Sequence, residues 1–312
     1  MMHPKYRELQ RTLARGLSEF ADQVRNLPGA PAGDAREALA WQFVESRRKI
    51  DRTEAFQARD ISPERAKPGS NLFDPEMAAV LSARNGAVEN AFWLAFLSVH
   101  LGRHATDGWL LARQIYGGLG PEPYWTWDRI SADPSAFRDW LNDTMRGRNI
   151  PLGRFGNHRK YETLNPASVS GTATVFASYV EWVRAHGSHA GLIQHALDSA
   201  GDNPLMAFAR LYESMGVVKR FGRLGKFDFL TLIGKLGLAS ISPDSTYMSE
   251  ATGPRRGASL LFRGHPLASA NLRELETLVK QLESKLGVGM QAMEDALCNW
   301  QKSPLKFQAF RG

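Results

Sequence analysis

An all-α fold is what this sequence predicts, and three observations carry the expectation. Apolar residues recur at intervals of three and four through most of the chain, Asx-Pro pairs open three of those periodic stretches, and alternation of β-branched residues is nearly absent. No Gly-rich βαβ fingerprint and no GxxxxGK[ST] loop occurs, so no dinucleotide-type cofactor is expected.

Residues 1–60 read as an N-terminal helical segment, with Asp34 and Glu37 at capping-box spacing ahead of a helix. Residues 60–72, DISPERAKPGSNL, are rich in Pro, Gly and Ser and read as a loop before the helical body, 72–312. Asp74-Pro75 then starts a helix, because the Asp side chain satisfies first-turn amides and Pro needs no amide bond there. Glu89 to His104, ENAFWLAFLSVHLGRH, reads as a long apolar helix, and 117–127, GGLGPEPYWTW, as a second loop whose aromatics are too large to leave exposed without use. Asp133-Pro134 and Asn203-Pro204 open two more helices. FDFLTLIGKLGL from Phe227 is a further one, and Asn271 with Glu274 caps an amphipathic stripe of Leu272, Leu275, Leu278, Val279, Leu282 and Leu286.

At 312 residues and 43% hydrophobic, the chain can build a sizeable core. A net charge of +7 and a pI of about 9.6 favour a polyanionic partner. The single Cys298 excludes an internal disulfide and a multi-Cys zinc site, and lacks a local partner for nucleophilic catalysis. The N-terminus, MMHPKYRELQRTLARG, has no apolar signal core, and no stretch approaches eighteen apolar residues, so a cytoplasmic protein outside the membrane is expected. His100 and His104 have the i, i+4 spacing of a metal pair, but without HExxH or a third ligand they read as hydrogen-bonded structural histidines. His186 and His189 read as flanking a helix boundary.

The charge is concentrated. Between Val218 and Gly264, Lys219, Arg220, Arg223, Lys226, Lys235, Arg255, Arg256 and Arg263 face only Asp228, Asp244 and Glu250, among glycines and aromatics. Such helices with Gly-rich ends suit phosphate. A second basic segment, GRFGNHRKYETL from Gly153, sets Arg154, Asn157, His158, Arg159 and Lys160 together, and adjacent cations are easiest to understand opposite an anion. TGPRRGASLLF from Thr252 has the logic of a helix-hairpin-helix turn, with Gly253, Arg255, Arg256 and Gly257 facing a DNA phosphate and FDFLTLIGKLGL as the first helix. No aspartate lies between Asp244 and Asp295, whereas glycosylases with this hairpin place a catalytic one after the second helix.

Five stretches, ENAFWLAFLSVHLG, FGNHRKYETL, FGRLGKFDFLTLIGKLGL, TGPRRGASLLF and EDALCNWQKSP, make the chain resemble the α-glutamyl/putrescinyl thymine pyrophosphorylases, helical enzymes of phage DNA thymine hypermodification related to helix-hairpin-helix DNA glycosylases. The resemblance implies a glycosylase-like helical fold and a transferase that acts on DNA carrying 5-pyrophosphoryloxymethyluracil, replacing pyrophosphate with an amino acid or polyamine. Departure of pyrophosphate calls for cations, for which Arg159, Lys160, Arg223 and Lys226 are candidates. The entering amine calls for a base, for which Glu89, His158 and Asp228 are available. Asn157 could read the uracil edge and Trp93 could stack on a flipped base, with Asn299, Gln301 and Lys302 completing the pocket. The competing structural readings are that Asp228 pairs with Lys226 or Arg223, that Glu89 caps its own helix and that Trp93 is core. No cofactor is called for, and the sequence leaves a Mg²⁺ requirement open. A glycosylase-like repair enzyme and a non-catalytic DNA-binding module are the alternative functions.

Overall fold

The computed structural model describes residues 4–121, 123–147, 151–157 and 162–309. Among these, fourteen α-helices and no β-strand occur, so the all-α expectation holds. The contacts divide the chain into two compact units, one made of residues 1–53 together with 243–312, the other of residues 54–242. The sequence reading sets its boundary at the loop 60–72, which falls inside the second unit.

The unit drawn from both chain ends contains α1 (Pro4–Gln23), α2 (Asp34–Glu54, whose last residue belongs to the other unit), α12 (Thr252–Arg263), α13 (Leu272–Leu286) and α14 (Met290–Trp300). Its core joins Leu13, Leu17 and Phe20 of α1 to Leu275, Leu278, Val279 and Leu282 of α13, the amphipathic stripe foreseen from their spacing. Asn271 caps α13 by accepting from the Arg273 amide at 2.9 Å, but Glu274 turns outward to Arg263 instead of completing a capping box. At α2 the expected capping box is absent. Gly33, with φ of +103°, opens that helix through its carbonyl, which accepts from the Arg36 and Glu37 amides, while Asp34 lies inside the first turn.

The central unit contains α3 (Pro75–Arg84), α4 (Val88–Leu101), α5 (Leu110–Tyr116), α6 (Trp127–Ala132), α7 (Pro134–Gly147), α8 (Thr172–Arg184), α9 (His189–Ser199), α10 (Pro204–Ser214) and α11 (Arg223–Lys235). The three Asx-Pro pairs start α3, α7 and α10, each with the Asx side chain accepting two first-turn amides at 2.9–3.2 Å. α4 is the axis. Apolar around almost its whole circumference, it is buried from Ala91 to Ser98 and packs against α3, α5, α6, α9 and α11. Gly102, at φ +71°, ends it two residues before His104, earlier than the sequence suggests. No helix of the described residues is long and apolar enough to cross a membrane.

Candidate functional site

Glu89 stands in the first turn of α4, yet its carboxylate serves α9. One oxygen accepts from the His189 ring at 2.6 Å and the His189 amide at 3.0 Å, while the other accepts from the Ala190 amide at 3.3 Å. A carboxylate can only accept, so His189 Nδ1 carries the proton and its Nε2 takes the Tyr179 hydroxyl at 2.7 Å. Burial pushes the Glu89 carboxyl up, but the bonds from His189 and Ala190 outweigh it, and the group sits below its ordinary value. Burial lowers His189 against the opposing pull of Glu89, leaving the ring neutral, and burial holds the Tyr179 hydroxyl well above its usual value. The relay is walled by Phe92, stacked on the imidazole at 4.9 Å, and by Trp127 at 4.3 Å. The competing reading had Glu89 cap its own helix; its carboxylate instead takes the first amides of α9, a hundred residues on. The sequence held no local signal for His189 as its partner.

Trp93, four residues further along α4, is completely buried. Its indole donates to the Trp125 carbonyl at 2.7 Å and its ring meets Phe96, Trp127, Phe176 and Tyr179, so no face is open to a base. The core reading of Trp93 thus replaces the stacking one, and the aromatics of the 117–127 loop are used up in the same core, Trp125 and Trp127 being buried.

The basic stretch after α10 forms a helix–turn–helix arrangement in which residues 215–222 join α10 to α11. Arg220 adopts φ of +63°, in the left-handed region, and Gly222 caps α11 without any side-chain bond to its first amides. Arg223 is buried, its guanidinium 5.0 Å from the Phe227 ring centre, and the Lys226 ammonium lies 4.0 Å from that of Tyr212. Lys219 and Asp228 are exposed. This end of α11 keeps Lys219, Arg223, Lys226 and Asp228 close in sequence and on one helix entry.

The second basic segment is only partly described, because His158, Arg159 and Lys160 lie outside the described residues. The part that is described runs along the loop between α4 and α5. The Asn157 side-chain amide donates to the His100 carbonyl at the end of α4, which commits its NH₂ to backbone there. A Cβ on Gly156 or Gly102 would overlap the facing backbone, which is why glycines stand on both sides of the crossing. Arg154 grips Asp107 with Nε at 3.0 Å and Nη2 at 2.8 Å, and Asp107 is held down to about 2, chiefly by that bond. Against the same loop lies a cavity of about 300 Å³, lined among others by Arg65, Arg103, Trp109 and Arg113.

Gly253 and Gly257 do not form a turn. Both lie inside α12, where a Cβ on Gly253 would strike the Cys298 sulfur and one on Gly257 the Leu297 carbonyl, so they let α12 and α14 approach closely. Arg255 and Arg256 between them are exposed. Cys298 is half-buried at this crossing. Asn299 bonds Asp295, which also accepts from Ser46 at 2.6 Å and Lys49 at 3.3 Å, and Lys302 donates to Asn299 at 2.9 Å. Those polar residues form a network within the unit that holds both chain ends.

The four histidines singled out by spacing have separate partners. His100 bonds Thr172 at 3.1 Å inside the core, His104 accepts from the Thr106 and Asp107 amides at 3.2 Å, and Ser188 caps α9 between His186 and His189. Among the described residues no group of three or more His, Cys, Asp or Glu is placed to hold a metal ion. Compared with known proteins, residues 34–312 match the family model described as alpha-glutamyl/putrescinyl thymine pyrophosphorylase clade 3. Neither the curated proteins nor the solved structures contain a match.

Proposed function

This chain belongs to the alpha-glutamyl/putrescinyl thymine pyrophosphorylase family, clade 3, and from that premise we propose that it is a transferase acting on hypermodified thymine in DNA. Its substrate is DNA in which uracil carries a pyrophosphoryloxymethyl group at the 5-position. The amine nitrogen of an amino acid or polyamine attacks the methylene carbon, the carbon–oxygen bond breaks, pyrophosphate leaves with the electron pair, and the amine gives up a proton to a base. Match to the family over nearly the whole chain carries this reading.

The residue assignments are ours. Asp228 is our candidate base on its exposure beside the cationic entry to α11, and Glu89 is assigned to the tie with His189 and Ala190. His158 keeps its place as the alternative base, and Arg159 and Lys160 as cations for the leaving group. Lys219 and Lys226 at the entry to α11 are assigned to DNA phosphates, as are the exposed Arg255 and Arg256, while the buried Arg223 is assigned to holding that entry against Phe227. Gly253 and Gly257 are assigned only to helix packing.

The test uses the full-length protein with DNA bearing the pyrophosphorylated base and a mixture of amino acids and polyamines. Released pyrophosphate and an amine-substituted thymidine in an intact strand, identified by mass of the digested nucleosides, are expected. Abasic sites would point to a glycosylase, and unchanged DNA despite tight binding to a non-catalytic module.

A further inference from the structure

The cavity beside the α4–α5 loop holds more unneutralised positive charge than its residue types suggest. Three guanidiniums, those of Arg65, Arg103 and Arg113, line it together with two carboxylates, Asp74 and Asp107. Only Asp107 is neutralised from outside the cavity; Asp74 keeps its charge, so three guanidiniums face one unpaired carboxylate. Asp74 accepts the Glu76 and Met77 amides at the start of α3, and Asp107 is gripped through both oxygens by Arg154, which does not line the cavity. The arginines, by contrast, have no acidic partner among the described residues. Arg65 donates to the Leu72 carbonyl at 3.4 Å, Arg113 to the Ser70 carbonyl and the Asn71 side chain, and Arg103 is exposed with no hydrogen bond or ion pair there.

The loop that presents Arg103 is tied down by its own backbone. His104 and Gly108 exchange two backbone bonds at 2.9–3.0 Å, His104 Nδ1 accepts two amides inside the loop, and the Gly102–Gly156 crossing allows no side chain between the segments. Arg103 and Trp109 therefore stand on a loop whose backbone is tied at both ends. Trp109, half-buried and without a ring partner among the described residues, supplies an apolar wall that strengthens charge pairing nearby. A cluster of forked guanidiniums in excess over the carboxylates beside them suits a compact polyvalent oxyanion and repels a polyamine.

We infer that this cavity is a diphosphate subsite, in which Arg65, Arg103 and Arg113 hold the pyrophosphate moiety. The identity of that anion rests on the proposed transfer reaction; the preference for a polyvalent oxyanion rests on the cavity itself.

Titration calorimetry of the full-length protein with inorganic pyrophosphate at fixed ionic strength, with no DNA present, tests this. Stoichiometric binding is expected, weakened about tenfold or more in Arg103→Ala, since one charge-assisted bond to a phosphate is lost. Arg103 is exposed, so that variant should melt with the wild type, and Arg113→Lys, which keeps the charge but loses the fork, should bind with intermediate affinity. Inorganic phosphate, L-glutamate and putrescine are compared in parallel. Pyrophosphate binding indifferent to Arg103→Ala, or an Arg103-dependent site that prefers glutamate or putrescine, would overturn the subsite even if amine transfer to DNA proceeds. Arg103-dependent pyrophosphate binding would support the subsite even if no DNA is modified, which separates it from the proposed reaction.

Discussion

Replacing Glu89 by Gln separates a structural carboxylate from a catalytic one. The wild-type side chain accepts three hydrogen bonds, from the His189 ring, the His189 amide and the Ala190 amide, and its side chain is 30% exposed. A bond to a charged group contributes about 1.5–3 kcal/mol, and solvent access discounts that toward the lower end. Gln keeps one accepting oxygen for the α9 amides but cannot accept the His189 proton with its NH₂, so the net loss should be about 2 kcal/mol, or a fall in Tm of about 4–8 °C for a unit of this size. The pH dependence has a definite sign. Both His189 and Glu89 titrate below their ordinary values of 6.5 and 4.5 in the folded protein, so each contributes stability that is present above the ordinary value and lost as pH falls through the folded one. Without the carboxylate that opposes its depression, His189 in the variant falls further, and the gap to wild type should widen on acidification until Glu89 itself protonates. Calorimetric melting of both proteins across a pH series measures this. A variant that melts within about 1 °C of wild type throughout would refute the relay as a structural tie; a large loss of turnover in such a variant would restore Glu89 as a base.

Asp228→Asn should slow amine transfer by roughly 10²- to 10⁴-fold while DNA affinity measured by fluorescence anisotropy stays near wild type. Affinity for duplex DNA should fall steeply with salt, and Lys226→Ala or Arg256→Ala should each flatten the log–log slope by roughly one unit; a wild-type slope near zero would remove DNA from the account. Gly257→Ala, which drives a methyl into the Leu297 carbonyl, should lower Tm sharply and resist rescue, whereas Gly253→Ala, which meets the Cys298 sulfur, should be partly rescued by Cys298→Ala. A Gly253→Ala variant as stable as wild type, followed by thermal melting, would mean that α12 and α14 do not cross as closely as described.

What the sequence disclosed and what it withheld follow from the range of the forces involved. Capping by Asp74, Asp133 and Asn203 acts over three residues, so each helix start was legible from an Asx-Pro pair. The α13 stripe was legible because a single helix carries the whole period. The pairing of Glu89 with His189 spans a hundred residues and depends on α4 and α9 meeting, which no spacing within either helix encodes. The glycines at 253 and 257 were read as a turn for a different reason: a glycine needed for positive φ and one needed for close approach are the same letter, and only the neighbouring helix α14 decides between them. Charge had the opposite fault. Arginine is conspicuous wherever it stands, so the basic runs drew attention to Arg154, which the fold neutralises with Asp107, and away from Arg65, Arg103 and Arg113, scattered singly over about fifty residues and gathered only by the packing of α3, α4 and α5. An anion site is defined by the cations left over after every local acid has been matched, and that remainder is a property of the fold.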